Sequence, residues 1–194
     1  MADSRFRILT VCTGNICRSP AAELLLAAEF TDLAVADRFS VASAGTHALT
    51  GWPISPPMDE LLADRGIPSD RFVARQATAS MLAESDLILT ATRAHRTWVA
   101  ATEPRVLRRA FTLTEFADAV RNRGGADIDP AALVAWASAN RPKSERAAVA
   151  PVRRGYSTGD ILDPYGRGDA AYLSSLNQIV PLAETIAVVL SQTV

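Results

Sequence analysis

The sequence predicts an α/β fold: a single domain over residues 1–194, with a four-stranded parallel sheet and helices on both faces. Short apolar, β-branched segments alternate along the chain with segments of helical periodicity. Hydrophobic residues make up 48% of the 194 residues, which is enough for one full core. Because strands that alternate with helices pair in parallel, we expect the functional site at the carboxyl ends of the strands.

Four segments are expected to form the strands, because each is short, apolar and rich in β-branched or aromatic side chains. They are residues 5–11, 39–43, 86–90 and 109–113. Between them, apolar residues recur at helical spacing, and proline or threonine residues mark several helix starts. The predicted helices cover residues 20–30, 58–65, 78–85, 92–102, 114–120, 130–140 and 169–191.

The last two predicted helices carry specific expectations. Asp129 and Pro130 are typical of an N-cap and a first helical turn, and Trp136 is expected to face the core. Pro181 lies inside the final helix, where it removes a backbone hydrogen bond. We therefore expect that helix to bend or split near Asn177.

Residues 11–20, VCTGNICRSP, are the most informative stretch of the chain. Cys12 ends the first predicted strand, Arg18 follows six residues later, and a helix begins near Pro20. Successive backbone N–H groups at a helix N-terminus bind an anion, and the planar arginine guanidinium can hold two of its oxygens. The same field stabilises the thiolate form of a cysteine that faces it. The sequence therefore predicts a phosphate-binding loop between the first strand and the first helix, with Cys12 as a nucleophile.

Two further residues of this loop are expected to support it. Ser19 can direct its hydroxyl at the sulfur of Cys12, and Asn15 tolerates the left-handed backbone that a tight loop requires. The sequence contains neither a Gly-Lys-Ser/Thr continuation of the loop nor a Gly-x-Gly-x-x-Gly pattern, so it does not match the nucleotide-binding motifs.

The loop resembles the signature loop of the low-molecular-weight protein-tyrosine phosphatases, in which a cysteine, five residues and Arg-Ser lie near the N-terminus. The five intervening residues are Thr13, Gly14, Asn15, Ile16 and Cys17. Further segments match in the family's order; they are SAGTHA at 43–48, ARQ at 74–76, DLIL at 86–89, FTLTEFA at 111–117 and DPYG at 163–166. The resemblance covers most of the chain and leaves an extra helical and basic segment at about residues 118–158.

The resemblance implies a phosphatase that hydrolyses phosphotyrosine on proteins through a phosphocysteine intermediate, with no cofactor and no metal. In this family the cysteine attacks phosphorus, the arginine binds the phosphate, and the aspartate of an Asp-Pro pair protonates the leaving group. These roles fall on Cys12, Arg18 and Asp163.

Supporting roles also follow from the resemblance. The residues expected to bind phosphate or to support the loop are Thr13, Gly14, Asn15, Ile16, Cys17, Ser19 and Ser43. Trp52 and Tyr165 are expected to flank the aromatic ring of the substrate. Phosphotyrosine suits such a site because its length lets the phosphate reach a deep thiolate, whereas phosphoserine is too short.

The chain departs from the family pattern at two positions. Many members have a histidine that helps to hold the signature loop where this chain has Phe72. Some members have a second tyrosine after the Asp-Pro pair where this chain has Gly166, which resembles bacterial rather than animal members. The sequence leaves open whether Phe72 weakens the support of the loop, and Gly166 predicts a more open pocket.

The composition limits the partners and the location. The net charge of −1 gives no overall basic surface for nucleic acid or for an anionic membrane. The sequence has no secretory leader pattern and no run near the ~20 apolar residues of a membrane span, so we expect a cytoplasmic protein. Both cysteines lie in the loop, which fits a reducing compartment. The expected partner is a phosphotyrosine-containing protein, and a bacterial tyrosine kinase is one candidate.

Residues 142–157 are loop-like and basic, and Arg141 directly precedes them. The basic residues are Arg141, Lys143, Arg146, Arg153 and Arg154. Two interpretations stay open for them: a solvated flexible arm, or a lip beside the active site that attracts acidic or phosphorylated partners.

Other functions fit part of the pattern. Arsenate reductases share a similar anion loop, but no cysteine follows Cys17, so only a form that uses an external thiol remains open. A non-catalytic phosphotyrosine-binding module need not retain both Cys12 and Asp163. Zinc could be bound by cysteine and histidine side chains, but the spacing of Cys12, Cys17, His47 and His95 matches no compact zinc motif.

Cys17 is predicted to protect the nucleophile from irreversible oxidation. Because the loop curls around the anion, Cys12 and Cys17 can approach within the ~4.4 to 6.8 Å between Cα atoms that a disulfide requires. Peroxide converts the Cys12 thiolate to sulfenic acid. The sulfur of Cys17 then attacks the Cys12 sulfur, the disulfide bond forms, and the hydroxyl group of the sulfenic acid leaves as water.

Dithiothreitol should therefore restore the activity of peroxide-treated wild-type protein, whereas Cys17→Ser should lose activity permanently at equal exposure. Mass spectrometry of the oxidised wild type should find Cys12 linked to Cys17. Unlinked cysteines, with equal recovery in the two proteins, would contradict the prediction.

Overall fold

The computed structural model describes residues 5–142 and 159–194, and its centre is a four-stranded parallel sheet. The strands are β1 (Phe6–Cys12), β2 (Phe39–Gly45), β3 (Leu87–Thr90) and β4 (Ala110–Thr112), in the order β2-β1-β3-β4. The predicted fold class is confirmed, and the strand ends differ from the predicted ends by one or two residues.

The helices surround this sheet in the predicted order. They are α1 (Arg18–Asp32), α2 (Met58–Ala63), α3 (Ala79–Glu84), α4 (Arg93–Thr102), α5 (Leu113–Arg123), α6 (Pro130–Ala139) and α7 (Asp169–Ser191), with a 3₁₀ turn at Pro104–Arg109. Thr78 and Thr92, predicted as first helical residues, are N-caps whose hydroxyls accept backbone N–H groups. Helix α5 starts earlier than predicted because Thr112 and Glu115 form a capping box.

Both faces of the sheet are buried, as the continuous apolar strands predict. Along β1, Ile8 and Cys12 face the layer formed by α1, α5 and α7, whereas Leu9 and Val11 face the layer formed by α3 and α4. Helix α1 packs on α7 and on β2. The end of β1 is thus enclosed on both sides, which fixes the start of the signature loop.

Helix α7 runs without a break through Pro181, so the prediction that it might split there is wrong. Pro181 lies on the exposed face, where water can satisfy the Asn177 carbonyl that loses its helical partner. The helix is long and apolar enough to cross a membrane by length and composition alone. Its apolar face, which includes Leu176 and Ile186, lies in the core of the domain.

Residues 118–142 pack into the same core as the sheet. Helix α6 begins after its N-cap Asp129, as predicted, and buries Leu133 and Ala137. Trp136 packs against this core but is only partly buried, with the Arg123 guanidinium 5.6 Å from its ring centre. The basic residues Lys143, Arg146, Arg153 and Arg154 lie outside the described residues.

Arg141 is not part of a solvated arm or lip, and that prediction is wrong for this residue. Its side chain is only 6% exposed. Its guanidinium donates a hydrogen bond to the Ala110 carbonyl and lies 4.2 Å from the ring centre of Phe111. Its Nε is 2.5 Å from a carboxylate oxygen of Glu115, whose other oxygen is 2.5 Å from Nη1 of buried Arg96. One buried carboxylate therefore joins α4, α5 and the end of α6.

Glu115→Gln is predicted to destabilise the protein, because it leaves the buried guanidinium groups of Arg96 and Arg141 without their carboxylate. Loss of one partner of a buried ion pair costs about 3 to 5 kcal/mol, and we expect a decrease of about 3 kcal/mol in the free energy of unfolding. Urea denaturation measures this decrease. Asp118→Asn, which breaks an exposed pair with Arg121 on the same helix, is the control and should change stability little. Equal stability of the two variants would refute the prediction.

Candidate active site

The signature loop between β1 and α1 has its carbonyl groups bonded to the segment that follows β2. The four bonds run from Thr46 N–H to the Cys12 carbonyl (2.9 Å), from His47 to Thr13 (3.0 Å), from Leu49 to Gly14 (2.9 Å) and from Ser55 to Ile16 (2.8 Å). In a trans peptide the carbonyl of one residue and the N–H of the following residue point in opposite directions. The N–H groups of the loop therefore point away from the segment that follows β2. This arrangement forms an anion site at the N-terminus of α1.

Asn15 holds the loop in its curled form from inside. Its φ is +56°, the left-handed backbone predicted for it. The buried side chain donates to Ser19 Oγ (2.9 Å) and to Ser43 Oγ (2.8 Å), and accepts the Arg75 N–H (2.8 Å). The loop, α1 and β2 are therefore tied together by one amide.

The sulfur of Cys12 lies 2.9 Å from Ser19 Oγ, and Cys12 is only 2% exposed. Ser19 Oγ accepts an N–H from Asn15, and its own hydrogen can be donated to the sulfur at 2.9 Å or to the Ala44 carbonyl at 3.5 Å.

Arg18 and Asp163 meet beside this sulfur, although 145 positions separate them in the sequence. Arg18 is 3% exposed, and its Nη2 lies 2.7 Å from Asp163 Oδ2. The Asp163 side chain is 37% exposed, so this carboxylate faces both the guanidinium and solvent. The pair places one guanidinium and one carboxylate at the same opening.

These residues line one pocket of about 210 Å³. Its lining residues are Cys12, Thr13, Gly14, Ile16, Cys17, Arg18, His47, Leu49, Asp163 and Tyr165. The structure thus brings the predicted nucleophile Cys12, the arginine, the aspartate and an aromatic residue together in one pocket. This is the geometry that phosphomonoester hydrolysis through a cysteine requires.

A family model described as low molecular weight phosphotyrosine protein phosphatase matches residues 7–133. The chain belongs to this family. The probable low molecular weight protein-tyrosine-phosphatase EpsP of Ralstonia nicotianae is 38% identical over 108 residues, which cover 56% of this chain and 70% of that protein. The phosphatase Etp of Escherichia coli K12 is 37% identical over 107 residues, which cover 55% and 68%.

Solved structures of the family extend the match to nearly the whole chain. The low molecular weight protein tyrosine phosphatase from T. tengcongensis is 25% identical with a TM-score of 0.68, covering 93% of this chain and 96% of that one. The YwlE arginine phosphatase from Geobacillus stearothermophilus is 26% identical with a TM-score of 0.67, covering 94% and 90%.

Phe72, which replaces the histidine of many family members, brings no polar atom to the loop support. Ser43 instead donates to Glu23 (2.5 Å), and the Arg75 guanidinium donates to the Ser43 carbonyl (2.7 Å). Burial raises the pKa of Glu23, and its hydrogen bond with Ser43 and the charge of Arg75 oppose that rise. Glu23 was not predicted to support the loop, although its position four residues after Ser19 places both on one face of α1.

Trp52 is not among the residues that line the pocket. It is 57% exposed, and its backbone joins the Leu49 carbonyl to the Ala74 N–H. His47 and Leu49 line the same pocket as Tyr165, although the sequence did not predict that either contacts the substrate. The geometry thus supports the predicted wall at Tyr165 and does not support it at Trp52.

The two cysteines have different environments in one pocket. Both are free, and Cys17 lies 3.9 Å from the Tyr172 hydroxyl. Burial raises the pKa of Cys17 to about 12, so its sulfur stays protonated at neutral pH. Cys17 therefore does not compete with Cys12 as a nucleophile, and its protective role against oxidation stays a prediction.

His95, considered from the sequence only as a zinc ligand, contacts the signature loop. Its Nε2 lies 2.8 Å from Thr13 Oγ1, and its Nδ1 lies 2.8 Å from Thr92 Oγ1. Within residues 5–142 and 159–194 no group of three or more histidine, cysteine, aspartate or glutamate side chains is placed to hold a metal. Each ring nitrogen of His95 is thus hydrogen-bonded to one threonine hydroxyl, Nε2 to that of Thr13 and Nδ1 to that of Thr92.

Proposed function

We propose that this protein hydrolyses phosphotyrosine on protein substrates through a phosphocysteine intermediate. The observation that carries the proposal is the convergence of Cys12, Arg18 and Asp163 on one pocket in a member of this phosphatase family. The deep sulfur and the aromatic wall at Tyr165 favour an aryl phosphate over the shorter phosphoserine.

In the first step the Cys12 thiolate attacks phosphorus, the sulfur–phosphorus bond forms, and the bond to the phenolic oxygen breaks. Asp163 gives its proton to that oxygen. Arg18 and the loop N–H groups hold the other phosphate oxygens, where negative charge is greatest. A phosphate that binds Arg18 displaces the Asp163 carboxylate from its ion pair, and the carboxylate takes up from solvent the proton that it then donates.

In the second step water replaces the dephosphorylated product. Asp163, now ionised, takes a proton from this water as its oxygen attacks phosphorus, and the sulfur–phosphorus bond breaks. Inorganic phosphate leaves, and the Cys12 thiolate is restored. The hydroxyl of Ser19 stabilises this sulfur as a leaving group, because it is 2.9 Å away with a hydrogen to donate.

The proposal extends to the substrate protein and to the cellular location. Relatives named protein-tyrosine phosphatases support a phosphoprotein substrate. We extend this to a bacterial tyrosine kinase as one such substrate and to the cytoplasm as the site of action, where a reduced Cys12 is maintained.

The proposal is tested with an aryl phosphate and with peptides that carry phosphotyrosine, phosphoserine or phosphoarginine, the last because an arginine phosphatase shares the fold. We expect hydrolysis of the aryl phosphate and the phosphotyrosine peptide by the wild type, and none by Cys12→Ser. Cys17→Ser, the same substitution at the other cysteine of the loop, is the control and should still form the phosphoenzyme. Hydrolysis by both wild type and Cys12→Ser, or by neither, removes the proposal. Arsenate-dependent consumption of an external thiol would instead indicate a reductase.

Asp163→Asn is predicted to slow turnover by about 10² to 10⁴ when the leaving group is poor, because the substituted side chain cannot donate a proton. The loss should be much smaller for an easily expelled leaving group such as p-nitrophenolate, which departs without protonation. Steady-state kcat/KM values for phenyl phosphate and p-nitrophenyl phosphate, which report the first step without the later hydrolysis of the phosphocysteine, measure the difference. Equal losses on the two substrates would exclude Asp163 as the general acid.

A further inference from the structure

The first turn of α4 contacts both loops that carry the proposed reacting groups. On one side, His95 Nε2 lies 2.8 Å from the hydroxyl of Thr13, the residue next to Cys12. On the other side, the Arg93 N–H donates to Asp160 Oδ1 (2.8 Å), three residues before Asp163. These contacts join chain segments 82 and 67 residues apart.

We propose that residues 91–95 position the nucleophile and the acid relative to each other, with His95 setting the place of the Cys12 loop and Asp160 that of the Asp163 loop. The inference rests on the proposed phosphatase function. It makes His95 and Asp160 positioning residues that act through Thr13 and through the loop backbone.

His95 is suited to hold the nucleophile loop because its ring is fixed at both nitrogens. The Thr92 hydroxyl lies 2.8 Å from Nδ1 and also accepts the backbone N–H of His95 as the N-cap of α4. The ring is 7% exposed, so it has little room to turn. The Thr13 hydroxyl is thus bonded to a fixed atom, while the Thr13 carbonyl is bonded to the His47 N–H.

The ring acts through hydrogen bonds and not through charge. Burial, reinforced by the positive charge of Arg18 and by His47, lowers the pKa of His95 to about 3. At pH 5 to 8 the ring is therefore neutral, with one nitrogen as donor and the other as acceptor. Either neutral form satisfies both threonine hydroxyls, because each hydroxyl can donate or accept.

Asp160 is suited to hold the acid loop because it meets a helix N-terminus. The first N–H groups of a helix have no partner within the helix, and the Asp160 carboxylate accepts one of them at Arg93. The next residue, Ile161, is 1% exposed and donates its N–H to the Ala91 carbonyl (2.9 Å). Two adjacent residues thus dock the acid loop on the chain between β3 and α4.

The two halves of the proposal make different kinetic predictions. Displacing the nucleophile loop impairs attack on every substrate, so Thr13→Val and His95→Leu should each lower kcat/KM about tenfold for both p-nitrophenyl phosphate and phenyl phosphate. Displacing the acid loop impairs protonation of the leaving group in the first step, which kcat/KM reports without the later hydrolysis of the phosphocysteine. Asp160→Ala should therefore lower kcat/KM for phenyl phosphate about tenfold or more, and leave kcat/KM for p-nitrophenyl phosphate nearly unchanged.

Double variants test whether each residue acts through its proposed partner. Thr13→Val combined with His95→Leu should lose no more than either change alone, because both break one contact. Asp160→Ala should cost nothing further in an Asp163→Asn background. Thr97→Val, on the same helix with its hydroxyl bonded to the Arg93 carbonyl, is the matched control and should behave as wild type.

Losses that multiply in the Thr13 and His95 pair, or an Asp160→Ala loss equal on both substrates, would overturn the inference. So would a His95→Leu loss that varies between pH 5 and pH 8, since the ring would then act through its charge. Thr13→Ser, which keeps the hydroxyl, should rescue the Thr13→Val loss; failure of rescue also counts against the inference. If the wild type hydrolyses neither ester, the proposed function fails; if it does and these patterns are absent, only the positioning role fails.

Discussion

The site depends on one constraint: the loop carbonyls of residues 12, 13, 14 and 16 bond away from the pocket, so that the N–H group of each following residue can face an anion. The donors come from residues 46–55, and this segment can approach only because Gly45 has no side chain. A Cβ at Gly45 would lie 2.4 Å from the Thr13 carbonyl oxygen. The register of the parallel sheet sets Gly45 opposite Cys12, so the pairing of β1 with β2 determines the shape of the anion site.

Features that depend on near neighbours could be predicted from the sequence. The left-handed backbone of Asn15, the N-cap of Thr92 and the start of α6 at Asp129 and Pro130 each follow from a few adjacent residues. Contacts across the sheet could not be predicted in this way. Thr13 meets His95 because β3 lies beside β1, and no local pattern states which strands are adjacent.

Charge patterns were informative at the site and misleading at Arg141. Arg18 stands at a fixed distance from a cysteine and before a helix, so its neighbours in sequence define its role. Arg141 stands in a basic, proline-containing stretch that is typical of a surface, yet its guanidinium meets a carboxylate already placed by the capping box of α5. A sequence gives the sign of each charge, whereas burial decides whether that charge interacts with water or with a partner.

The pair of Arg18 and Asp163 links phosphate binding to proton transfer under the proposed mechanism. A buried guanidinium without an anion would be costly, and the Asp163 carboxylate supplies one at 2.7 Å. A substrate phosphate must therefore replace Asp163 at Arg18, which offsets part of its binding energy. The displaced carboxyl stays at the pocket opening because Asp160 is bonded to the Arg93 N–H and Ile161 to the Ala91 carbonyl, two contacts that do not involve the Asp163 side chain. The arrival of the phosphate ester at Arg18 thus releases the Asp163 carboxyl group beside the leaving-group oxygen that it protonates.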